Sequence, residues 1–174
     1  MRKLLSLTVL LVLAATTLFA QGMDKKRASP HETISGNNMK ITYGRPYKKG
    51  RVIFGDGKTS LETYGKVWRT GADEATEITL EKDCVFAGKQ VKAGTYVLFT
   101  IPGENEWGII LNSQLKQWGA FGYDKVKDKD VLNAKVPAKH LDKPVEQFTI
   151  IIDKSGFKME WDNASVYVPV RFTN

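Results

Sequence analysis

Cysteine and histidine are scarce in this sequence: its 174 residues include one cysteine and two histidines. A single cysteine cannot form an intramolecular disulfide, and Cys84 lies in a strand-like apolar run, where it is expected to be buried and inert. No histidines or cysteines have a zinc-ligand spacing, and Asp124, Asp128 and Asp130 are interleaved with lysines. The sequence therefore predicts no metal and no cofactor. His140 is expected in a solvated loop.

A concentrated block of basic residues is also missing. The formal net charge of +7 at pH 7 is distributed along the chain, whereas nucleic-acid-binding proteins carry basic residues in patches or stripes. Nucleic acid is therefore not a predicted partner, and the composition does not indicate an oligomeric state.

Long hydrophobic runs are missing with one exception. Residues 4–19 carry no charge, follow Arg2 and Lys3, and precede the small or polar residues at 20–22. This arrangement is typical of a secretory signal peptide, and the run is shorter than the roughly 20 residues that a membrane span needs. We expect cleavage after Ala20 and an exported protein, periplasmic or extracellular, without a transmembrane span or lipid anchor. A flexible entry segment at 21–27 and one domain at 28–174 should follow.

A sustained helical stripe of apolar residues is absent as well. The nearest approach, residues 113–118, is long enough for only a turn or two. Apolar residues instead alternate with a period of two, and Ala87-Gly88-Lys89 and Asp162-Asn163 read as turns between strands. The fold class is therefore predicted as all-β, an antiparallel β-sandwich or jelly-roll-like single domain. The predicted strands are 40–43, 77–81, 84–86, 90–91, 95–101, 107–111, 148–152, 158–161 and 165–172.

Arginine, glycine and aromatic residues occur together in residues 43–55, 64–76 and 117–123. Planar guanidinium groups suit carboxylates, phosphates and sugar hydroxyls, and aromatic rings can stack on a ligand. An alternative places Arg45 or Arg69 in an internal ion pair with an acidic residue at 73 or 74. The ligand-binding residues predicted from these segments are Arg45, Arg51, Arg69, Glu74, Trp68, Trp118 and Tyr123.

The order of short motifs along the chain carries a family resemblance. These motifs are Ser29-Pro, Tyr43-Gly-Arg-Pro, Gly50-Arg-Val-Ile-Phe-Gly, Gly65-Lys-Val-Trp-Arg-Thr-Gly-Ala, Glu74-Ala-Thr, Ala93-Gly-Thr-Tyr, Phe99-Thr-Ile-Pro and Trp118-Gly-Ala-Phe. Over about residues 28–172, the chain resembles the family catalogued as domain of unknown function 2911, whose members are exported proteins found mainly in Bacteroidetes and related bacteria. The resemblance implies a β-rich single domain and implies no reaction, cofactor or substrate.

Three functional hypotheses stay open. The first is a non-catalytic module that binds a small anionic or carbohydrate ligand in the arginine and tryptophan cleft. The second is a hydrolase that uses Glu74 as acid or base, with His31 or with a second carboxylate such as Glu104 or Glu106. The third is a purely structural envelope protein. A cleft joining Arg69 to Glu74 would favour the first two, and His31 or a carboxylate within reach of Glu74 would favour the enzyme.

Overall fold

The computed structural model describes residues 26–173. The predicted signal peptide and residues 21–25 lie outside this part of the chain. Within it, regular structure consists of eleven β-strands and two short 3-10 turns. None of the helices found in residues 26–173 has the length and apolar character of a membrane span. The all-β prediction is confirmed.

Each of the nine predicted strands coincides with or overlaps an observed strand. The sequence pattern missed the strands at residues 31–36, 52–55 and 60–63 and residues 130–147 of a longer strand. Polar and charged residues occupy much of these segments except 52–55, which is only four residues long. The strands are β1 (His31–Gly36), β2 (Met39–Gly44), β3 (Val52–Gly55), β4 (Ser60–Thr63), β5 (Glu77–Leu80), β6 (Cys84–Phe86), β7 (Lys89–Val91), β8 (Gly94–Ile101), β9 (Glu106–Asn112), β10 (Asp130–Asp153) and β11 (Gly156–Phe172).

Nine strands form one antiparallel sheet in the order β1-β2-β5-β8-β9-β10-β11-β6-β7, and β3 pairs with β4 in parallel. The sheet folds over on itself because the long strand β10 belongs to both layers of the fold. Its first part pairs with β9, and its later part pairs with β11. The chain that follows β2 also joins β10, since Lys48 and Phe148 donate backbone hydrogen bonds to Glu146 and Pro46, respectively. This arrangement is that of a β-sandwich.

The β10–β11 ladder bends where its register breaks. Register shifts separate His140, Val145 and Thr149 on β10, and Asp162 lies opposite Val145 with a φ of 51°. Irregularities of this kind bend a strand and increase its twist, and aspartate is among the residues that best tolerate this left-handed conformation. The prediction of a turn between two strands at Asp162-Asn163 is wrong, because β11 continues through it. The prediction of a loop at His140 is also wrong, because His140 lies in β10.

Trp68 lies at the centre of the main hydrophobic core. Its ring stacks on Trp161 with centroids 5.8 Å apart. Phe54, Trp107 and Phe148 meet the same ring edge-on. Such aromatic pairs are favoured at these separations and bury a large apolar area.

Alternation along the strands supplies the rest of this core. In β2, Met39, Ile41 and Tyr43 are buried while Lys40 between them is exposed. Cys84, on β6, is fully buried in the same core, as predicted. A side chain every second residue on one face is what a half-buried strand requires.

A second, smaller cluster is covered by the loop between β9 and β10. Phe99 and Ile110 belong to this cluster, and Tyr123 from the loop packs its ring against Phe99 at 5.3 Å. Residues 113–118, the nearest approach to a helical stripe in the sequence, form no helix. The two 3-10 turns of this loop lie later, at Tyr123–Lys125 and Lys127–Lys129.

Candidate functional site

Arg45, a predicted binding residue, is used to join two strands. Its Nη1 lies 3.1 Å from Glu32 Oε2. Its Nε donates to the carbonyl of Phe148 and its Nη2 to the hydroxyl of Thr149, both on β10. The guanidinium therefore links the end of β2 to the opposite layer.

Arg51 and Arg69 also make contacts within the protein. Arg51 donates from Nε and Nη2 to backbone carbonyls of its own loop, at 2.9 and 2.5 Å. Arg69 donates from Nε to the carbonyl of Gly71 at 3.2 Å, and its charge acts on Glu62. Neither guanidinium lies beside Glu74.

Two of the predicted aromatic residues are structural. Trp68 is only 2% exposed, so its ring belongs to the core and cannot form the wall of a surface cleft. Tyr123 donates its hydroxyl to Asp130 at 2.5 Å and closes the loop before β10.

Glu74 and Trp118 are the two predicted residues that share a cleft, which we call the Glu74 cleft. They lie opposite each other in an isolated β-bridge, and the cleft has a volume of about 310 Å³. Its other polar lining residues include Arg27, His31, Thr42, Glu77, Lys116 and Gln117.

The carboxylate of Glu74 is engaged by neighbouring cations. Arg27 donates from Nε at 2.9 Å and approaches with Nη2 at 2.8 Å, and His31 Nε2 lies 3.5 Å away. His31 within reach of Glu74 is the arrangement that would favour an enzyme. Partial burial raises the pKa of Glu74, but hydrogen bonds and charge, chiefly from Arg27, outweigh it and hold the pKa below its ordinary value.

Asp73 holds the segment that precedes β1. Its carboxylate accepts hydrogen bonds from the backbone N–H groups of Ala28 and Ser29 at 3.1 Å and lies 3.2 Å from His31 Nε2. Burial raises the pKa of Asp73, but these hydrogen bonds outweigh it, so the pKa is lowered. Arg27, the last residue of the segment expected to be flexible, is thereby placed beside Glu74.

A larger cleft lies at the bend of β10 and β11, and we call it the Asp162 cleft. Its volume is about 470 Å³. Phe54 and the ring of Tyr64, which is 38% exposed, supply apolar surface, whereas Trp107, also in the lining, is only 2% exposed. The polar lining residues are Glu104, Asn105, Lys139, His140, Asp162 and Asn163.

The left-handed backbone at Asp162 is stabilised by its side chain. Oδ1 lies 2.9 Å from Lys48 Nζ, and Oδ2 accepts the N–H of Ile53 at 3.2 Å. Asn163 contacts His140 Nε2 at 3.3 Å and donates to the carbonyl of Leu141. Unusual backbone conformations that are supported in this way are concentrated at functional sites.

Three polar side chains on the opposite side of this cleft have no hydrogen-bond partner among residues 26–173: Glu104, Asn105 and Tyr64. Burial raises the pKa of Tyr64, and the charges of Glu104 and Asp162 raise it further, so the phenol stays protonated and can donate. The cleft therefore offers uncommitted donors and acceptors beside an aromatic surface, whereas Glu74 is already bonded.

Neither cleft resembles a metal site. In the part of the chain that the structure describes, no group of three or more histidine, cysteine, aspartate or glutamate side chains is placed to hold a metal ion. The chemistry available is hydrogen bonding, stacking and charge.

Sequence reasoning did not identify the Asp162 cleft. Glu104 was considered only as a partner for Glu74, and His140 was assigned to solvent. The Pro-Gly-Glu-Asn-Glu turn at 102–106 and the Asp162-Asn163 pair are the local signals for this site. They lie far apart in the chain, and only the bend of β10 and β11 brings them together.

Comparison with known proteins gives a family and no closer relative. The family model described as "Protein of unknown function (DUF2911)" matches residues 25–170. No curated protein and no solved structure matches the chain.

Proposed function

The chain belongs to the DUF2911 family, which is defined without a function, and we propose that this member is a non-catalytic module that binds a small neutral carbohydrate in the Asp162 cleft. The observation that carries the proposal is the convergence of Glu104, Asn105 and Tyr64, all without hydrogen-bond partners among the described residues, on an aromatic surface. The predicted signal peptide would place this binding outside the cytoplasm.

The charges of the cleft favour a neutral ligand over an anion. Glu104 and Asp162 both contribute carboxylates to its lining, and Lys139 contributes one cation. The carboxylate of Asp162 is paired with Lys48. An anion would therefore face the carboxylate of Glu104, which is unpaired within residues 26–173, whereas sugar hydroxyls can donate to Glu104 and accept from Tyr64. The volume lies in the range of about 300 to 1,000 Å³ typical of small-molecule sites.

Hydrolysis with Glu74 is less well supported. A general acid at neutral pH needs a raised pKa, whereas the pKa of Glu74 is lowered. Its carboxylate is also bonded to Arg27. The contact with His31 supports catalysis by geometry alone, so binding remains the proposed function.

Titration with neutral sugars tests the proposal. The purified chain is mixed with glucose, galactose, mannose, N-acetylglucosamine, maltose and cellobiose, and binding is followed by tryptophan fluorescence and thermal shift. A sugar at ten times its Kd should stabilise the protein by about 1.4 kcal/mol. For a chain of this size, that corresponds to a rise in Tm of about 3 to 6 °C.

Variants at the cleft locate the binding. Glu104→Gln and Asn105→Ala should each weaken it, by about tenfold where the lost hydrogen bond involves a charged group. Glu81→Gln removes an exposed carboxylate outside the cleft and is the matched control. The absence of any hit in the sugar panel, or equal affinity in the cleft variants and the control, would exclude the Asp162 cleft as a carbohydrate site.

A further inference from the structure

The Asp162 cleft shares lining residues with two further clefts along β10. The first, the turn cleft, has a volume of about 530 Å³ and shares Gly103, Glu104 and Asn105 with the Asp162 cleft. The second, the lysine cleft, has a volume of about 630 Å³. It shares Lys135 with the turn cleft and Lys139 with the Asp162 cleft. The three clefts therefore have common walls.

Their common wall is one segment of β10, residues 133–140. In β10, Lys135, Pro137 and Lys139 are exposed while Val136 between them is buried. The strand residues that line the three clefts run from Asn133 to His140. Seven steps of extended chain span about 23 Å, which exceeds the length of a single sugar ring. An extended ligand fits this surface better than a monosaccharide does.

The charge of the surface changes along its length. The lysine cleft is lined by Lys135, Lys139 and Lys158, and its lining, all of it within residues 26–173, contains no carboxylate. Lys135 and Lys158 have ion-pair partners, Glu106 and Glu160. Glu106 lines the turn cleft and Glu160 lines none of the three clefts. Lys139, at the junction with the Asp162 cleft, makes no ion pair in the described chain.

From these shared walls and this charge we infer that the ligand is an acidic oligosaccharide. One sugar ring occupies the Asp162 cleft through hydrogen bonds, and negatively charged substituents of the rings that follow lie against the lysines. The inference rests on the proposed function, since it extends the carbohydrate site along β10. It assigns the anionic part of the ligand to a surface that the predicted arginine cleft did not include.

Oligogalacturonates and their methyl esters test chain length and charge separately. Oligomers of one, two, four and six residues are titrated against the full chain by calorimetry, and the esters have the same length without the charge. Affinity should rise with length. It should also be higher for the acid than for the ester by about two- to fivefold per lysine contact, the range of an exposed ion pair. Added salt should reduce this difference.

Two variants assign the effect to the lysine cleft. Lys158→Gln should reduce the preference for the acid tetramer over its ester and leave the affinity for a neutral monosaccharide unchanged. Lys40→Gln removes the same charge from an exposed position on β2 and should change neither. Equal affinity for monomer and hexamer, or for acid and ester, would overturn the acidic-oligosaccharide inference while leaving the neutral site intact. Failure of every neutral sugar would instead refute the proposed function.

Discussion

Glu62 provides a quantitative test of the structure, because burial of its carboxyl group disfavours the charged form. It lies opposite Phe54 in the parallel pair of β3 and β4, and Phe54 packs against Trp68 and Trp107. No hydrogen bond reaches the Glu62 carboxyl from within residues 26–173. Burial raises its pKa to about 7, although the charge of Arg69 opposes the shift.

The sign and size of the effect follow from this pKa. The folded state holds the proton of Glu62 more tightly than the unfolded state, whose glutamate pKa is about 4.3. The wild type should therefore lose stability as the pH rises from about 4 to about 7, by about 2 to 3 kcal/mol in total. The full difference between the two pKa values would give roughly 3.7 kcal/mol, and the partial exposure of Glu62 to solvent reduces it. Glu62→Gln keeps the shape without the charge. The variant should exceed the wild type's free energy of unfolding by about 1 kcal/mol or less at pH 5 and by about 2 to 3 kcal/mol at pH 8.

Chemical denaturation at pH 5 and pH 8 measures this difference, and thermal unfolding should show a rise in Tm of about 4 to 12 °C at pH 8. Glu81→Gln, at an exposed position after β5, controls for the loss of one negative charge. A difference between Glu62→Gln and the wild type that is the same at both pH values would refute the burial of an unpaired carboxyl at this position.

Two further predictions concern residues outside the clefts. Burial, with a contribution from the charge of Asp83, raises the pKa of Cys84 to about 11. A thiol reagent at pH 8 should therefore label the native protein far more slowly than the unfolded chain, and fast labelling of the native protein would contradict this prediction. The pKa of Asp73 is lowered, so its stabilisation should be present above a pH of about 4 and be lost as the pH falls below that value. Asp73→Asn retains a side chain suited to the left-handed φ of 65°. The Tm of this variant should differ from that of the wild type at pH 6 and converge with it at pH 3. The same difference in Tm at both pH values would show that the charge of Asp73 is not involved.

The strands were predictable because alternation is a local property. Residues 84–86 were predicted as a strand from three positions, and β6 has these bounds. The charged first half of β10 was not predicted, since its outward face carries lysines that by themselves suggest a loop. Only the pairing of Asp130–Asp153 with both β9 and β11 makes it a strand.

The hydrogen-bond partners of the arginines could not be predicted from their local sequence. Arg45 and Arg69 lie in motif-rich segments, but the hydrogen-bond acceptors that they reach depend on which backbone carbonyls the fold places beside them. Glu74 likewise contacts Arg27 rather than Arg69 because Asp73 fixes the segment before β1. Residue type indicates what a side chain is able to bind, and the fold selects the partner.

The sequence by itself determined the all-β class, the burial of Cys84 and the membership of the family. These depend on residue order within short windows. Only the tertiary structure shows which cleft contains polar side chains that have no hydrogen-bond partner among the described residues. Glu104 and Asp162 are separated by two long strands in the chain, and the bend at the β10–β11 register break brings them to the same cleft. A bend of this kind depends on the pairing of two distant segments, so no local pattern could specify it.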